Sequence, residues 1–187
     1  MRYLITGHTG FKGTWLTLLL EAMGHEVIGY SLAETPDSLF MRLDRRGLVN
    51  ETIADIRDMD SLKKAINSAK PSIVIHMAAQ PLVLKSYKFP RETFEINAQG
   101  TANLLEAAFA VSSVKTIGAV TTDKVYRNVN KTSGYVETEA LGGQDPYSAS
   151  KAMADIAAQS WLSSFGNHPT GSWNHHPLQG DHCLALA

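Results

Sequence analysis

Cysteine is almost missing from this chain: Cys183 stands alone among 187 residues. One thiol excludes an internal disulfide framework and fits a reducing compartment. A surplus of charge is missing too, since 17 basic residues face 18 acidic ones and leave a formal charge of −1. That balance gives no broad positive footprint for nucleic acid or an anionic membrane surface. Long hydrophobic runs are also lacking: no segment approaches the roughly 18 apolar residues of a membrane span. The opening "MRYLITGHTG" reaches glycine too early for a signal-peptide core. These absences set the expectation of a cytoplasmic protein whose partners are small molecules or protein. What remains is an ordinary globular composition, with 44% apolar and 8% aromatic residues, sufficient for one domain with a real core.

Strand-like and helix-like segments alternate. The short apolar run 2–6 predicts a first strand, and 14–24 predicts a helix stopped by Gly24. Strands are expected over 25–32 and 51–56, and an amphipathic helix over 58–69. The continuous apolar run 71–79 reads as a strand buried on both faces. A long helix follows over 90–111 with Pro90 near its start, then a fifth strand over 114–120. An alanine-rich helix over 146–165 begins at Pro146, where the missing N–H costs nothing. Such alternation argues for an α/β fold built on a doubly wound parallel sheet.

The first loop points to a ligand class. "GHTGFKG" sets Gly7, Gly10 and Gly13 between the first strand and the first helix. Gly7 suits a tight turn, Gly10 a close approach of backbone to a pyrophosphate, and Gly13 close packing of helix on sheet. Phe11 and Lys12 open the helix, whose free N–H groups favour phosphate. Glycine-rich turns are common, but in this strand–loop–helix setting dinucleotide binding outweighs a purely structural turn. The acid that usually holds an adenosine ribose after the second strand is absent, as the chain reads Gly29-Tyr30-Ser31. No arginine stands there for a 2′-phosphate, so NAD is favoured over NADP.

Farther along, "YSASK" places Tyr147 and Lys151 four residues apart on one helix face. A nearby ammonium stabilises a phenolate, which lets tyrosine accept a proton from a hydroxyl at neutral pH. A surface tyrosine beside a solvated lysine is the plain alternative. "TTDKVY" ends the fifth strand with Asp123 beside Lys124. A solvated ion pair worth about 0–1 kcal/mol would explain them structurally. Their place at the carboxyl end of a strand, where open parallel sheets keep ligands, argues for use. His76 ends an apolar strand and reads as a satisfied core residue. Asn97 reads as a structural hydrogen-bonder outside the site.

Taken with these motifs, "TTDKVYRN", "LGGQDPYSASKA" and "HMAAQPLV" resemble the extended short-chain dehydrogenase/reductase superfamily, and within it the CDP-glucose 4,6-dehydratase family. The resemblance covers residues 1 to about 165. It implies a Rossmann-like NAD-binding domain, here 1–166, followed by a sugar-nucleotide domain. It implies dehydration of CDP-glucose to a 4-keto-6-deoxy sugar for deoxysugars such as those of O-antigen. The cofactor residues so implied are Gly7, Gly10, Phe11, Lys12, Gly13, Asp55, Ile56, Ala78, Ala79, Tyr147 and Lys151, with Asp55 and Ile56 near adenine. Gln80 and Thr122 would meet the sugar. Tyr147 would take the 4-hydroxyl proton, with Thr122 bonding the same oxygen and Lys151 supporting the tyrosine. Asp123 would protonate the departing 6-hydroxyl, and Lys124, if burial lowers its pKa, would act as or position the C5 base. The lysine of Thr122-Asp123-Lys124 separates this family from the dTDP-glucose enzymes, which carry glutamate there. A homodimer through the Tyr147/Lys151 helix is the matching expectation.

The end of the chain departs from that pattern. Residues 168–187 hold four of the seven histidines, the lone cysteine, and no lysine or arginine. The expected sixth strand and the sugar-nucleotide domain are not recognisable, which predicts an atypical, disordered tail over 167–187 and a fifth strand left as a sheet edge. Without that domain turnover is expected to suffer, leaving a non-catalytic NAD-binding fragment, or a different sugar-nucleotide dehydratase or epimerase, as rival readings. A metal site from His175, His176, His182 and Cys183 has loose spacing and is disfavoured.

Overall fold

Alternating apolar runs and amphipathic stretches fold into a single parallel sheet with helices on both faces. The computed structural model describes residues 1–166 and the backbone of a strand at 183–186. Its elements are β1 (Arg2–Thr6), α1 (Phe11–Ala22), β2 (Glu26–Ser31), α2 (Leu39–Arg42), β3 (Asn50–Ile53), α3 (Met59–Ala69) and β4 (Ile73–His76). They continue with α4 (Val83–Lys88), α5 (Pro90–Phe94), a π-helical turn (Glu95–Gln99), α6 (Gly100–Phe109) and β5 (Thr116–Val120). A 3-10 turn (Asp123–Val125), α7 (Pro146–Phe165) and β6 (Cys183–Leu186) complete the order. The strands lie in the order β3-β2-β1-β4-β5-β6, and every pairing is parallel. The order reverses between β1 and β4, where such sheets open a crevice at their carboxyl ends. Thr6 sits at that point, paired with Tyr30 on one side and His76 on the other.

One face of the sheet carries the larger core, where Leu62, Ile66, Leu104, Leu105, Val74 and Ile117 are fully buried. Each such side chain contributes roughly 1.5–3 kcal/mol through burial. The opposite face packs α1 through Leu20 on Ile5 and Val27. Among the described residues no helix is long and apolar enough to cross a membrane.

Three departures from the predicted elements have physical causes. The helix expected over 90–111 is interrupted by the π-helical turn, in which the Thr101 hydroxyl donates to the Asn97 carbonyl at 2.7 Å. Such turns cluster at functional sites. The fourth strand ends at His76, well before Ala79: past the last ladder bond the Ala78 N–H goes to the Thr6 hydroxyl at 3.1 Å in place of a backbone carbonyl. The expectation of a free edge at the fifth strand is corrected: Cys183–Leu186 lies parallel to β5, with Ile117 opposite Cys183 and Val120 opposite Leu186. An open strand edge is a template for any short apolar run, and the segment supplies one. The other tail residues named above, His175, His176 and His182 among them, lie outside the described residues.

Candidate active site

The turn after β1 is built on two glycines that no other residue could replace. Gly7 has φ of +76°, donates its N–H to Tyr30 O at 2.8 Å, and would drive a Cβ to 2.8 Å from Ala78 N. A Cβ on Gly13 would stand 2.2 Å from Gly7 O and 2.7 Å from His8 Cα. Helix and turn are therefore in backbone contact. Gly10 caps α1 without any side-chain bond, and the first helical turn holds no acid, which keeps its N-terminus available to an anion. Phe11 and Lys12 are exposed at this end and line the cleft.

Behind the turn lies a buried histidine that sequence reasoning missed. His8 Nε2 meets Glu51 Oε2 at 2.5 Å, and its ring stacks edge-on against Phe40. A Cβ on Gly29 would come within 2.4 Å of that ring, so Gly29 makes room for it. Burial holds the imidazole below its usual pKa, against the opposing pull of Glu51.

The cleft itself has a volume of about 620 Å³, within the usual range for small-molecule sites. It runs from the glycine turn past Ser31, Asp55 and Ile56 on one side, and past Ala78, Ala79 and Gln80 to Tyr147 and Lys151 on the other. The Asp55 carboxylate is oriented by Arg57, which binds it through Nη2 at 2.6 Å and Nε at 3.0 Å, and the Arg57 N–H adds a bond at 2.9 Å. The guanidinium accordingly holds the carboxyl below its usual range. Asp55 Oδ2 accepts a single bond and keeps acceptor capacity toward the cleft, while the Asp55 carbonyl accepts the Tyr30 hydroxyl at 2.8 Å. Ile56 is buried against Gly100 and shapes the apolar wall.

Gln80 departs from its expected role. It borders the cleft, yet its amide donates to Leu82 O at 3.1 Å and Thr93 Oγ1 at 3.0 Å, and its oxygen accepts the Leu82 N–H at 2.7 Å. A buried amide so engaged shapes the loop after β4 and has no donor left for a sugar. Asn97 is the hub behind it. Its Oδ1 accepts the Gln80 N–H at 2.8 Å, while its Nδ2 donates to Gln80 O at 3.1 Å and Ser150 Oγ at 2.9 Å. Ser150 Oγ donates in turn to Tyr147 O at 2.7 Å.

His76 extends this network to the sheet. Thr6 Oγ1 accepts the N–H groups of Met77 and Ala78, both at 3.1 Å, so its own proton goes to His76 Nδ1 at 2.7 Å. The Nε2 proton of His76 then faces Thr101 Oγ1 at 3.0 Å, whose proton is committed to Asn97 O. One tautomer satisfies every group. Burial, and next the charge of Lys151, lower the His76 pKa to about 3. It is a core residue as expected, satisfied by two threonines in place of backbone.

Tyr147 and Lys151 both border the cleft near the end of β5. Lys151 is buried and donates to Val120 O at 2.6 Å. Burial lowers its pKa to about 8, with Asp155 opposing that fall and Lys12 adding to it. Burial also raises the Tyr147 pKa, against the lowering effect of its hydrogen bond with Thr122, and Asp123 and Asp145 raise it further. The ammonium is held by a strand-end carbonyl, and the phenol takes its partner from Thr122. Thr122 Oγ1 also donates to Asp123 Oδ1 at 3.0 Å. Asp123 and Lys124 are exposed on the 3-10 turn and do not border the cleft. Lys124 therefore lacks the burial that its role as a base required.

The comparisons with known proteins agree with this geometry. The model of the GDP-mannose 4,6 dehydratase family matches residues 4–181. The CDP-glucose 4,6-dehydratase of Salmonella typhimurium is 47% identical over 167 residues, covering 89% of this chain and 46% of the relative. The UDP-glucose 4-epimerase of Thermus thermophilus, solved in complex with NAD, superposes with a TM-score of 0.79 at 31% identity, over 89% of this chain and 52% of that one. The dTDP-glucose 4,6-dehydratase of Streptomyces venezuelae, solved with NAD bound, gives 0.78 at 29% identity, over 89% and 53%. The chain thus spans about half the length of the curated relatives it matches. With the glycine turn, the switch-point cleft and the Tyr147–Lys151 pair in place, the chain belongs to the GDP-mannose 4,6 dehydratase family of nucleotide-sugar enzymes.

Proposed function

We propose that this chain is the NAD-binding half of a nucleotide-sugar 4,6-dehydratase acting on CDP-glucose. The observation that carries the reading is a single cleft bordered at one end by Gly7, Gly10 and the start of α1, and at the other by Tyr147 and Lys151. The residues fit a dinucleotide: unengaged helix N–H groups suit a pyrophosphate, Ile56 and Ala54 suit an adenine face, and Lys151 suits a ribose hydroxyl. NAD, when bound, supplies hydride acceptance and return. Substrate choice follows from Lys124 and from 47% identity to a CDP-glucose enzyme. The proposed product would feed deoxysugar synthesis of the O-antigen kind.

Within that reading the chain's own groups divide the proton work. Tyr147 Oη takes the proton of the sugar 4-hydroxyl while Thr122 Oγ1 holds the same oxygen. Burial raises the phenol's pKa, so deprotonation needs a neighbouring cation. Lys151, with a pKa of about 8, keeps most of its charge at neutral pH. The ketone formed at C4 acidifies the C5 proton. Lys124, exposed in this chain, removes or directs that proton once bound substrate covers it, and Asp123 delivers one to the departing 6-hydroxyl, so a single water leaves across C5 and C6.

Incubation of the purified chain with NAD and CDP-glucose, with dTDP-glucose in parallel, tests this by mass spectrometry. Loss of one water from CDP-glucose alone is the expected result, and loss from dTDP-glucose would remove Lys124 from its selecting role. A second reading, a non-catalytic NAD-binding fragment, is favoured by the exposure of Asp123 and Lys124. It predicts NAD binding with no water loss from either sugar. The proposed homodimer would cover the exposed Met153 and Ile156 of α7 together with Leu84 and Tyr87 of α4. Sedimentation analysis of the chain and of Ile156→Glu checks it: a monomer in both would remove the dimer.

A further inference from the structure

The edge of the cleft beyond β2 lacks the carboxylate that dinucleotide sites of this topology place there to accept a ribose 2′-hydroxyl. Two hydroxyls occupy the position, contributed by residues 22 apart in sequence. Thr9 Oγ1 donates its proton to Leu32 O at 3.0 Å. Thr9 Oγ1 and Ser31 Oγ are 2.7 Å apart, and since Thr9 has only one proton, Ser31 must be the donor between them. Both protons are thereby consumed inside the protein. Both oxygens keep unused lone pairs, and both residues border the cleft.

We propose that Thr9 and Ser31 form an acceptor-only edge that selects an adenosine ribose with a free 2′-hydroxyl and rejects one carrying a 2′-phosphate. The inference rests on the dinucleotide reading of the cleft and deepens it, giving the selectivity without a carboxylate. A 2′-hydroxyl is a donor and finds acceptors there. A 2′-phosphate is an acceptor and meets two oxygens whose protons are already given to Thr9 and Leu32. Of the cations that line the same cleft, Arg57 is held by Asp55 through two side-chain bonds and lies 3.6 Å from Glu95, so its charge is already balanced. Leu32, exposed and apolar, completes an edge with no lysine or arginine from residue 29 to 33.

Calorimetric titration of the purified chain with NAD, with NADP and with the 2′-deoxyadenosine analogue of NAD tests the proposal without reference to turnover. The expected order is NAD tightest, with the 2′-deoxy analogue weaker by about three- to tenfold, the scale of one net hydrogen bond. NADP should be at least about tenfold weaker than NAD, since its phosphate leaves acceptor facing acceptor. In Ser31→Ala the difference between NAD and the 2′-deoxy analogue should shrink to less than about twofold; a merely structural serine would weaken both ligands alike. Leu32→Arg, at an exposed position that leaves the fold intact, should strengthen NADP binding by about tenfold or more. Equal binding of NAD and NADP by the unmodified chain would overturn the proposal and show that Arg57 leaves Asp55 for the phosphate. An undiminished 2′-deoxy penalty in Ser31→Ala would overturn it as well. Failure of every dinucleotide to bind would instead bring down the dinucleotide reading, and the proposal with it.

Discussion

The two ends of the cleft are made differently. Around the glycine turn and the foot of β4, polar atoms are bonded to partners within the protein: Thr6, His76, Thr101, Asn97, Gln80 and Ser150 form one continuous buried network. Past the opposite end, formed by Tyr147 and Lys151, Asp123 and Lys124 stand exposed on a three-residue turn outside the cleft lining, and Thr122 is half-buried beside them. A buried, fully bonded network fixes geometry before any ligand arrives. Exposed charges on a short turn do not, and they acquire a defined environment only when something covers them. The glycine-turn end is therefore self-contained, whereas the turn after β5 leaves its charged groups in solvent.

The strongest way to break this comparison is at Gly13. Gly13→Ala drives a methyl to 2.2 Å from the Gly7 carbonyl, against backbone on both sides. The helix must move off the turn, at a cost of about 3 kcal/mol or more. The expected outcome is a clear fall in melting temperature together with NAD affinity reduced beyond the range of calorimetry. A variant with unchanged stability and unchanged NAD affinity would show that the turn is softer than its packing implies.

A smaller effect comes from pH. His76 has a pKa of about 3 in the folded chain against the ordinary 6.5, chiefly because it is buried. The unfolded chain therefore binds a proton that the folded chain refuses as pH falls through 6.5, and stability is lost from there downward. The loss between pH 6.5 and 5 is on the order of 2 kcal/mol from this group. His8, also held low by burial, adds to the same slope. His76→Gln keeps one donor and one acceptor but cannot titrate, so its urea midpoint should fall less steeply over that window. An identical slope in both proteins would remove His76 as the source.

Much of the rigid end was legible in the sequence because its signals are local. The first strand and the last long helix have the bounds their residues suggest. The helix opens where Asp145 accepts the Ser148 N–H at 3.0 Å and Pro146 occupies the first turn, and it closes at Gly166. The glycine spacing indicated the turn for the same reason. What was not legible depends on residues distant in sequence. Asn97 looks like any polar residue in a helix until Gln80 and Ser150 close around it. His8 looks like an accidental residue in a glycine motif until Glu51 and Gly29 frame it. The missing acid after β2 was visible, but the hydroxyl pair replacing it was not, since Thr9 and Ser31 meet only across the strand order. Lys124 differs in the opposite sense: burial was the condition for its role as a base, and it stands exposed on the turn after β5.

The smallest effect is expected where the sequence looked most chemical. Asp123→Asn and Lys124→Ala remove charges from exposed side chains that take no part in the buried network and do not border the cleft. Surface substitutions of this kind change stability by no more than about 0.5 kcal/mol. NAD affinity should stay within about twofold of the unmodified chain, because the glycine-turn end owes nothing to either residue. Any water loss from CDP-glucose, by contrast, should disappear in both variants, since the proton donor or the C5 base is gone. Thermal melts, calorimetry with NAD and mass spectrometry of the sugar read these three quantities on the same preparations. A large drop in NAD affinity in either variant would mean that the exposed turn reaches the cofactor, and the division between a self-contained end and an exposed turn would fail.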